Sequence, residues 1–226
     1  MFDSLKKHKG VIYSNKKLSN TLNHIVIKTE DYISFEPGDY ITLFIGGYVP
    51  RNYSIANISS PSKNIEIIIN TSTPGVGARE LKDIKSGVEI NFLEPFGNFK
   101  YKKNKYSWFI AVGSGISPLI PMIHQAKIDL SNIKIFFGAR EEFDIPDLSF
   151  LDIPINYTIT KPSDEWKGDV GRVQLILKKE LDKNKNILNK IYFYICGQPI
   201  MINHTLDLLQ NNNIKNENII FEKYSL

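Results

Sequence analysis

The chain has 226 residues, enough for one large domain or two small ones that each bury a core. Its 42% hydrophobic and 23% charged content is ordinary for a soluble globular protein, and no apolar run approaches the ~20 residues of a membrane span. A net charge of +4 without a basic block argues against nucleic-acid binding while suiting an acidic protein partner, and the single cysteine, Cys196, excludes an internal disulfide and a cysteine-ligated metal or iron–sulfur centre.

The four histidines are scattered without metal-ligand spacing, so no metal site is expected. The first residues, Met1 to Lys7, carry no apolar segment of signal-peptide type, and a cytoplasmic protein is the expectation.

The first hundred residues read as short strands and turns. Ile25-Val26-Ile27, Tyr40-Ile41-Thr42-Leu43-Phe44 and Ile65-Glu66-Ile67-Ile68-Ile69 are rich in β-branched side chains. Pro37-Gly38-Asp39, Gly46-Gly47, Pro61-Ser62 and Pro74-Gly75 supply the turns between them. Strands at this spacing predict an antiparallel barrel or sandwich, interrupted by a short helix over 78–84. A lysine- and asparagine-dense linker is expected over 100–106, dividing the chain into domains of residues 1–102 and 103–226.

Beyond it the rhythm changes. Residues 108–112 form a continuous apolar strand that runs into Gly113-Ser114-Gly115-Ile116-Ser117-Pro118 and then a helix to about residue 129, with Ser117 as its cap and Pro118 at its first position. Strands at 133–137, 155–160, 191–196 and 219–222 follow, the later ones separated by helices near 171–181 and 200–211. Alternating strand and helix predicts a parallel, doubly wound sheet, whose ligands bind at the carboxyl ends of the strands. Gly113, Gly138 and Cys196 each stand at such an end.

Several runs carry chemistry. In Arg51-Asn52-Tyr53-Ser54 a guanidinium can pair with phosphate, an aromatic face can cover a flat ring and a hydroxyl can bond a ring nitrogen. The two glycines of Gly113-Ser114-Gly115 let backbone approach a pyrophosphate at a helix start. Arg140 follows Gly138-Ala139 and could take a ribose 2′-phosphate, whereas Glu141 and Glu142 beside it repel phosphate and suit free ribose hydroxyls, which leans to NADH over NADPH.

Together these runs resemble the ferredoxin–NADP reductase family over nearly the whole chain. Phe35-Glu36-Pro37-Gly38-Asp39-Tyr40 is similar to F-x-P-G-Q-Y, with Asp39 for Gln, and Arg51-Asn52-Tyr53-Ser54 to R-x-Y-S. Gly75-Val76-Gly77-Ala78-Arg79-Glu80-Leu81 resembles G-x-x-S-x-x-L with Ala78 where a hydroxyl is usual, and Glu94-Pro95-Phe96-Gly97-Asn98-Phe99 resembles G-P-x-G-x-F. Residues 113–118 are similar to G-x-G-I-x-P, Trp166-Lys167-Gly168-Asp169-Val170-Gly171-Arg172-Val173 to W-x-G-x-x-G-x-V, Cys196-Gly197-Gln198-Pro199-Ile200-Met201 to C-G-x-x-x-M, and Glu222-Lys223-Tyr224 to a C-terminal E-x-aromatic.

The resemblance implies a two-domain β plus α/β protein, a six-stranded antiparallel Greek-key β-barrel for flavin followed by a doubly wound five-stranded parallel sheet for NAD(P). It implies FAD held by Arg51, Asn52, Tyr53 and Ser54, by backbone at Ile68, Ile69 and Asn70, and by Gly75, Gly77 and Ala78. It places NADH or NADPH at Gly113, Ser114, Gly115, Ser117, Pro118, Arg140, Cys196, Gly197 and Met201. Ser54, Cys196, Glu222 and Tyr224 are implied at the point of hydride transfer, where Tyr224 covers the flavin face. The expected activity is NAD(P)H-dependent reduction of FAD and then of a separate one-electron acceptor protein: a ferredoxin, a flavodoxin or an oxygenase component. Two alternatives stay open, a reductase of free flavin, which Ala78 suits, and an electron-transfer subunit of a larger complex.

Overall fold

The computed structural model describes residues 6–45 and 49–224; the first five residues and the Gly46-Gly47 turn lie outside them. In the first half, β1 (Lys7–Lys17), β2 (Leu22–Ile33), β3 (Tyr40–Ile45), β4 (Val49–Ser54), β5 (Ser62–Asn70) and β6 (Glu89–Leu93) form one six-stranded antiparallel sheet, with α1 (Val76–Lys82) between β5 and β6. Its order is β4-β3-β6-β1-β2-β5, so β6 returns across the sheet to lie between β1 and β3, the Greek-key step. A bridge from Ile55 to Ile67, with Ala56 N donating to Glu66 O at 2.8 Å, joins the two edge strands and closes the barrel. Ile12, Ile25, Ile27, Ile41, Leu43, Ile65, Ile67 and Phe92 fill its interior from alternate strand positions.

The second half contains β7 (Tyr106–Val112), α2 (Leu119–Ile128), β8 (Asn132–Ala139), β9 (Ile155–Ile159), β10 (Asp169–Val170), α3 (Val173–Lys183), β11 (Ile191–Gly197), α4 (Pro199–Asn211) and β12 (Ile219–Lys223). The sheet is parallel with order β10-β9-β8-β7-β11-β12. It has six strands rather than the expected five. The extra one, β10, pairs only two residues with β9 and has no hydrophobic run of its own. The central strand β7 is buried from Ser107 to Ala111, as a strand covered on both faces requires.

The two halves share a core. Leu22, Ala56, Ile68 and Phe99 pack with Phe109, Ile116, Leu119, Met122 and Tyr194 in one cluster. Wedged between the barrel and the parallel sheet, α2 is apolar on nearly every face. Residues 100–105 form no regular element, but they are anchored: Tyr194 Oη donates to Lys102 O at 2.9 Å and accepts from Lys102 N at 3.0 Å. Among the described residues no helix is long and apolar enough to cross a membrane.

Candidate active site

Strand β4 ends where the two sheets meet. Arg51 and Tyr53 share one face of it, by the two-residue period of a strand, and Ser54 turns to the other. Arg51 is exposed, its guanidinium donating to the carbonyl of Pro50 at 2.8 Å. Asn52 is exposed too, and its side-chain oxygen accepts from the Thr42 hydroxyl at 2.8 Å. Tyr53 packs half-buried against the barrel core; burial pushes its phenol up to about 12, against the opposing pull of the Arg51 charge.

Ser54 is buried, and three residues of the second half reach it. Its hydroxyl donates to Glu222 Oε2 at 3.2 Å and accepts from the Tyr224 phenol at 3.0 Å, while its carbonyl accepts from the Ser117 hydroxyl at 2.7 Å. Glu222 lies on β12 opposite Cys196 of β11, and Tyr224 follows that strand with its amide donating to Gly197 O at 3.1 Å. Burial drives the Glu222 carboxyl up to about 7, and the Ser54 hydrogen bond offsets only part of that rise. Burial, reinforced by the Glu222 charge, also holds the Cys196 thiol well above its ordinary value, so this cysteine is a neutral thiol in the core. Tyr224 is pushed up by burial in the same way.

The loop after β7 is built to pass close to these groups. Gly113 takes φ +54°, a left-handed conformation, and the atom nearest to where its Cβ would stand is Asn70 Nδ2 at 3.6 Å. Ser114 O accepts from the Tyr224 phenol at 3.4 Å. A Cβ on Gly115 would collide with the carbonyl of Cys196, so this glycine also lets the loop after β7 pack closely on β11. Ser117 does not cap α2. Its backbone is already helical, the cap position belongs to Pro118 rather than Ser117, and the hydroxyl is turned into the barrel.

Of the other expected site residues, Ile68 touches this cluster through Ser117. Ile68 and Ile69 bury their side chains, and the Ile68 amide is occupied by Ser117 Oγ at 3.2 Å. Met201 belongs to the core on the far face of the parallel sheet, where it packs beneath Gly197. Gly75 stands at the start of α1 with no atom within 4 Å of a would-be Cβ, while Gly77 and Ala78 are buried within the first turn. Arg140 is exposed at the end of β8, its Nε 4.0 Å from Glu141.

Two features were not legible beforehand. Tyr40 pairs with Ser54 across β3 and β4, packs its ring on Phe96 at 4.4 Å between centroids in a tilted arrangement, and feels the charge of Glu222. The signal for it was its place at the end of the Phe35–Tyr40 motif. The loops after β8 and β9 also border an open cleft lined by Glu142, Phe143, Ser163, Asp164, Glu165, Trp166, Lys167 and Gly168. Glu142 there accepts from Ser163 N at 2.9 Å and Ser163 Oγ at 2.7 Å. Beyond the cleft, Gly171 N donates to Ile159 O at 2.7 Å as the chain turns into α3.

Residues 9–101 match the oxidoreductase FAD-binding domain family and residues 109–207 the oxidoreductase NAD-binding domain family. One component of the Na(+)-translocating NADH-quinone reductase of Idiomarina loihiensis is 26% identical over 200 residues, which are 78% of this chain and 49% of that protein. The reductase component of phenol 2-monooxygenase from a Pseudomonas species is 25% identical over 239 residues, 97% of this chain and 66% of that protein. The chain thus spans about half to two thirds of the length of these relatives. The ferredoxin reductase in carbazole 1,9a-dioxygenase has the same fold, with a TM-score of 0.87 over 98% of this chain and 70% of that one at 21% identity. With an FAD-binding and an NAD-binding oxidoreductase domain in succession, the chain belongs to the ferredoxin–NADP reductase family of flavin oxidoreductases.

Proposed function

We propose that the chain is an NAD(P)H-dependent flavoprotein reductase, with FAD on a domain of residues 1–102 and the nicotinamide nucleotide on a domain of residues 103–226. The observation that carries this reading is the convergence on Ser54, at the end of a barrel strand, of Ser117, Glu222 and Tyr224 from the carboxyl edge of the parallel sheet. That edge is where such sheets bind ligands. The residues fit both groups. Arg51 offers an exposed guanidinium for phosphate, Gly75 leaves open space where a side chain would otherwise stand, and Gly113 takes the left-handed turn of the loop after β7.

When bound, the flavin supplies the conversion of a hydride donor's two electrons into single-electron steps. The chain supplies position and proton handling. Arg51 and Asn52, with the amides of Gly75, Gly77 and Ala78, hold the phosphate end, Tyr53 covers one ring face, and backbone at Ile69 and Asn70 lines the ring edge. Gly113 and Ser114 carry the nucleotide, and Cys196, Gly197 and Tyr224 frame the nicotinamide. Tyr224 Oη, Ser54 Oγ and Glu222 Oε2 form a hydrogen-bonded line ending on a carboxyl that titrates near neutral pH, so Glu222 can hold or release a proton there.

The adenosine end favours NADH. Arg140 has Glu141 beside it, and the neighbouring cleft sets three carboxylates, Glu142, Asp164 and Glu165, against one cation, Lys167, a balance that disfavours a 2′-phosphate and suits a ribose diol. The acceptor in this reading is a separate one-electron carrier, a ferredoxin, a flavodoxin or an oxygenase component, consistent with a relative that is the reductase component of a monooxygenase. A cytoplasmic location is part of the proposal and rests on a lone, buried, unpaired cysteine.

Free-flavin reduction is the second reading, favoured by buried Ala78, which brings no hydroxyl to the start of α1. Purified protein that is yellow and is bleached by NADH supports the first reading. Colourless protein that oxidises NADH only with added flavin supports the second, and no oxidation of either nucleotide under any flavin condition refutes both.

A further inference from the structure

We infer that Ser117 is a positioning residue whose hydroxyl clamps the barrel seam and thereby fixes the nucleotide loop against the flavin strands. Edge strands β4 and β5 meet through the Ile55–Ile67 bridge and the bond from Ala56 N to Glu66 O. One step further towards the parallel sheet, Ser117 Oγ touches both strands, donating to Ser54 O at 2.7 Å and accepting from Ile68 N at 3.2 Å. Ser117 is completely buried, and Ser54 and Ile68 are 5% and 4% exposed.

A hydroxyl suits this place because it donates and accepts at once, satisfying one carbonyl and one amide that water does not reach. Its other end is tied to the loop: Ser117 N donates to Ser114 O, the same carbonyl that receives the Tyr224 phenol. The seam, the loop and the Ser54–Glu222–Tyr224 line therefore share one small side chain. Ser117 is already occupied by backbone on both sides, so it orients the nucleotide loop rather than binding the nucleotide.

The functional half of this inference rests on the reductase reading; the structural half does not. The test compares full-length Ser117→Ala and Ser117→Thr with wild type. In Ser117→Ala the Ile68 amide should exchange hydrogen at least about tenfold faster, measured without nucleotide. Flavin reduction by NADH in anaerobic stopped flow should slow on the order of tenfold to a hundredfold, with FAD and NADH affinities within about threefold of wild type. Ser117→Thr keeps the hydroxyl and should restore both readouts.

Wild-type exchange at Ile68 in Ser117→Ala overturns the seam, and so does fast exchange in Ser117→Thr, which decides the matter if the alanine variant fails to fold. Lost NADH affinity with an unchanged hydride step makes Ser117 a ligand and overturns the positioning role. If wild-type protein is reduced by neither nucleotide, the reductase reading fails while Ile68 exchange still tests the seam.

Discussion

Replacing Glu222 with glutamine probes the most perturbed carboxyl of the site. Burial holds the group near 7 against an ordinary 4.5, which corresponds to about 3 kcal/mol between its two charge states. A carboxyl raised in the folded state contributes stability that is full below about pH 4.5 and is lost as pH rises through 7. Glutamine mimics the neutral form and keeps an oxygen for the Ser54 hydroxyl. Urea unfolding of the two proteins at matched pH should give similar stabilities near pH 4.5. The variant should then gain to about 3 kcal/mol by pH 8 and level off above it. Other carboxylates titrate in both proteins and cancel in the difference. A difference that stays flat from pH 5 to 8, or wild type the more stable at pH 8, would refute the buried-carboxyl assignment.

Further predictions address other parts of the molecule. Arg51→Ala should weaken FAD binding by about 1.5–3 kcal/mol, on the order of tenfold to a hundredfold in Kd, by titration of flavin fluorescence into apoprotein. Lys100→Met removes the partner of buried Asp39, to which Lys100 lies at 2.5 Å, and should destabilise by about 2 kcal/mol in urea, less than a fully buried pair because Lys100 is partly exposed. Lys185→Met, which breaks an exposed pair with Asp182, should change stability by under about 0.5 kcal/mol in the same assay. Gly115→Ala should lower stability by about 3 kcal/mol or prevent folding through its clash with Cys196 O, whereas Gly75→Ala should unfold within about 0.5 kcal/mol of wild type.

The motifs carried most of the fold because each marks a place where backbone must do something particular. Gly113 needs its left-handed turn, and the apolar run from Ser107 to Ala111 is explained only by a strand covered on both sides. Strand β1 was harder to read, because among Lys7–Lys17 only Gly10 and Ile12 are buried and the lysines around them look like a loop. Strand β10 has two residues and no pattern.

Ser117 shows a different limit. A serine before a proline at a helix start looks like a cap, and only tertiary structure reveals that its hydroxyl is needed in a seam formed by strands roughly fifty and sixty residues earlier. Asp39 is similar: it stands where the family pattern has glutamine, and the compensating Lys100 comes from beyond β6.

The central claim is that this chain brings a nicotinamide into contact with a flavin over Ser54. Anaerobic mixing of the FAD-loaded protein with NADH, followed at the flavin absorbance bands, tests it directly. The account predicts full bleaching by one equivalent of NADH, with NADPH reacting more slowly. A flavin that stays oxidised in excess NADH and excess NADPH would contradict it.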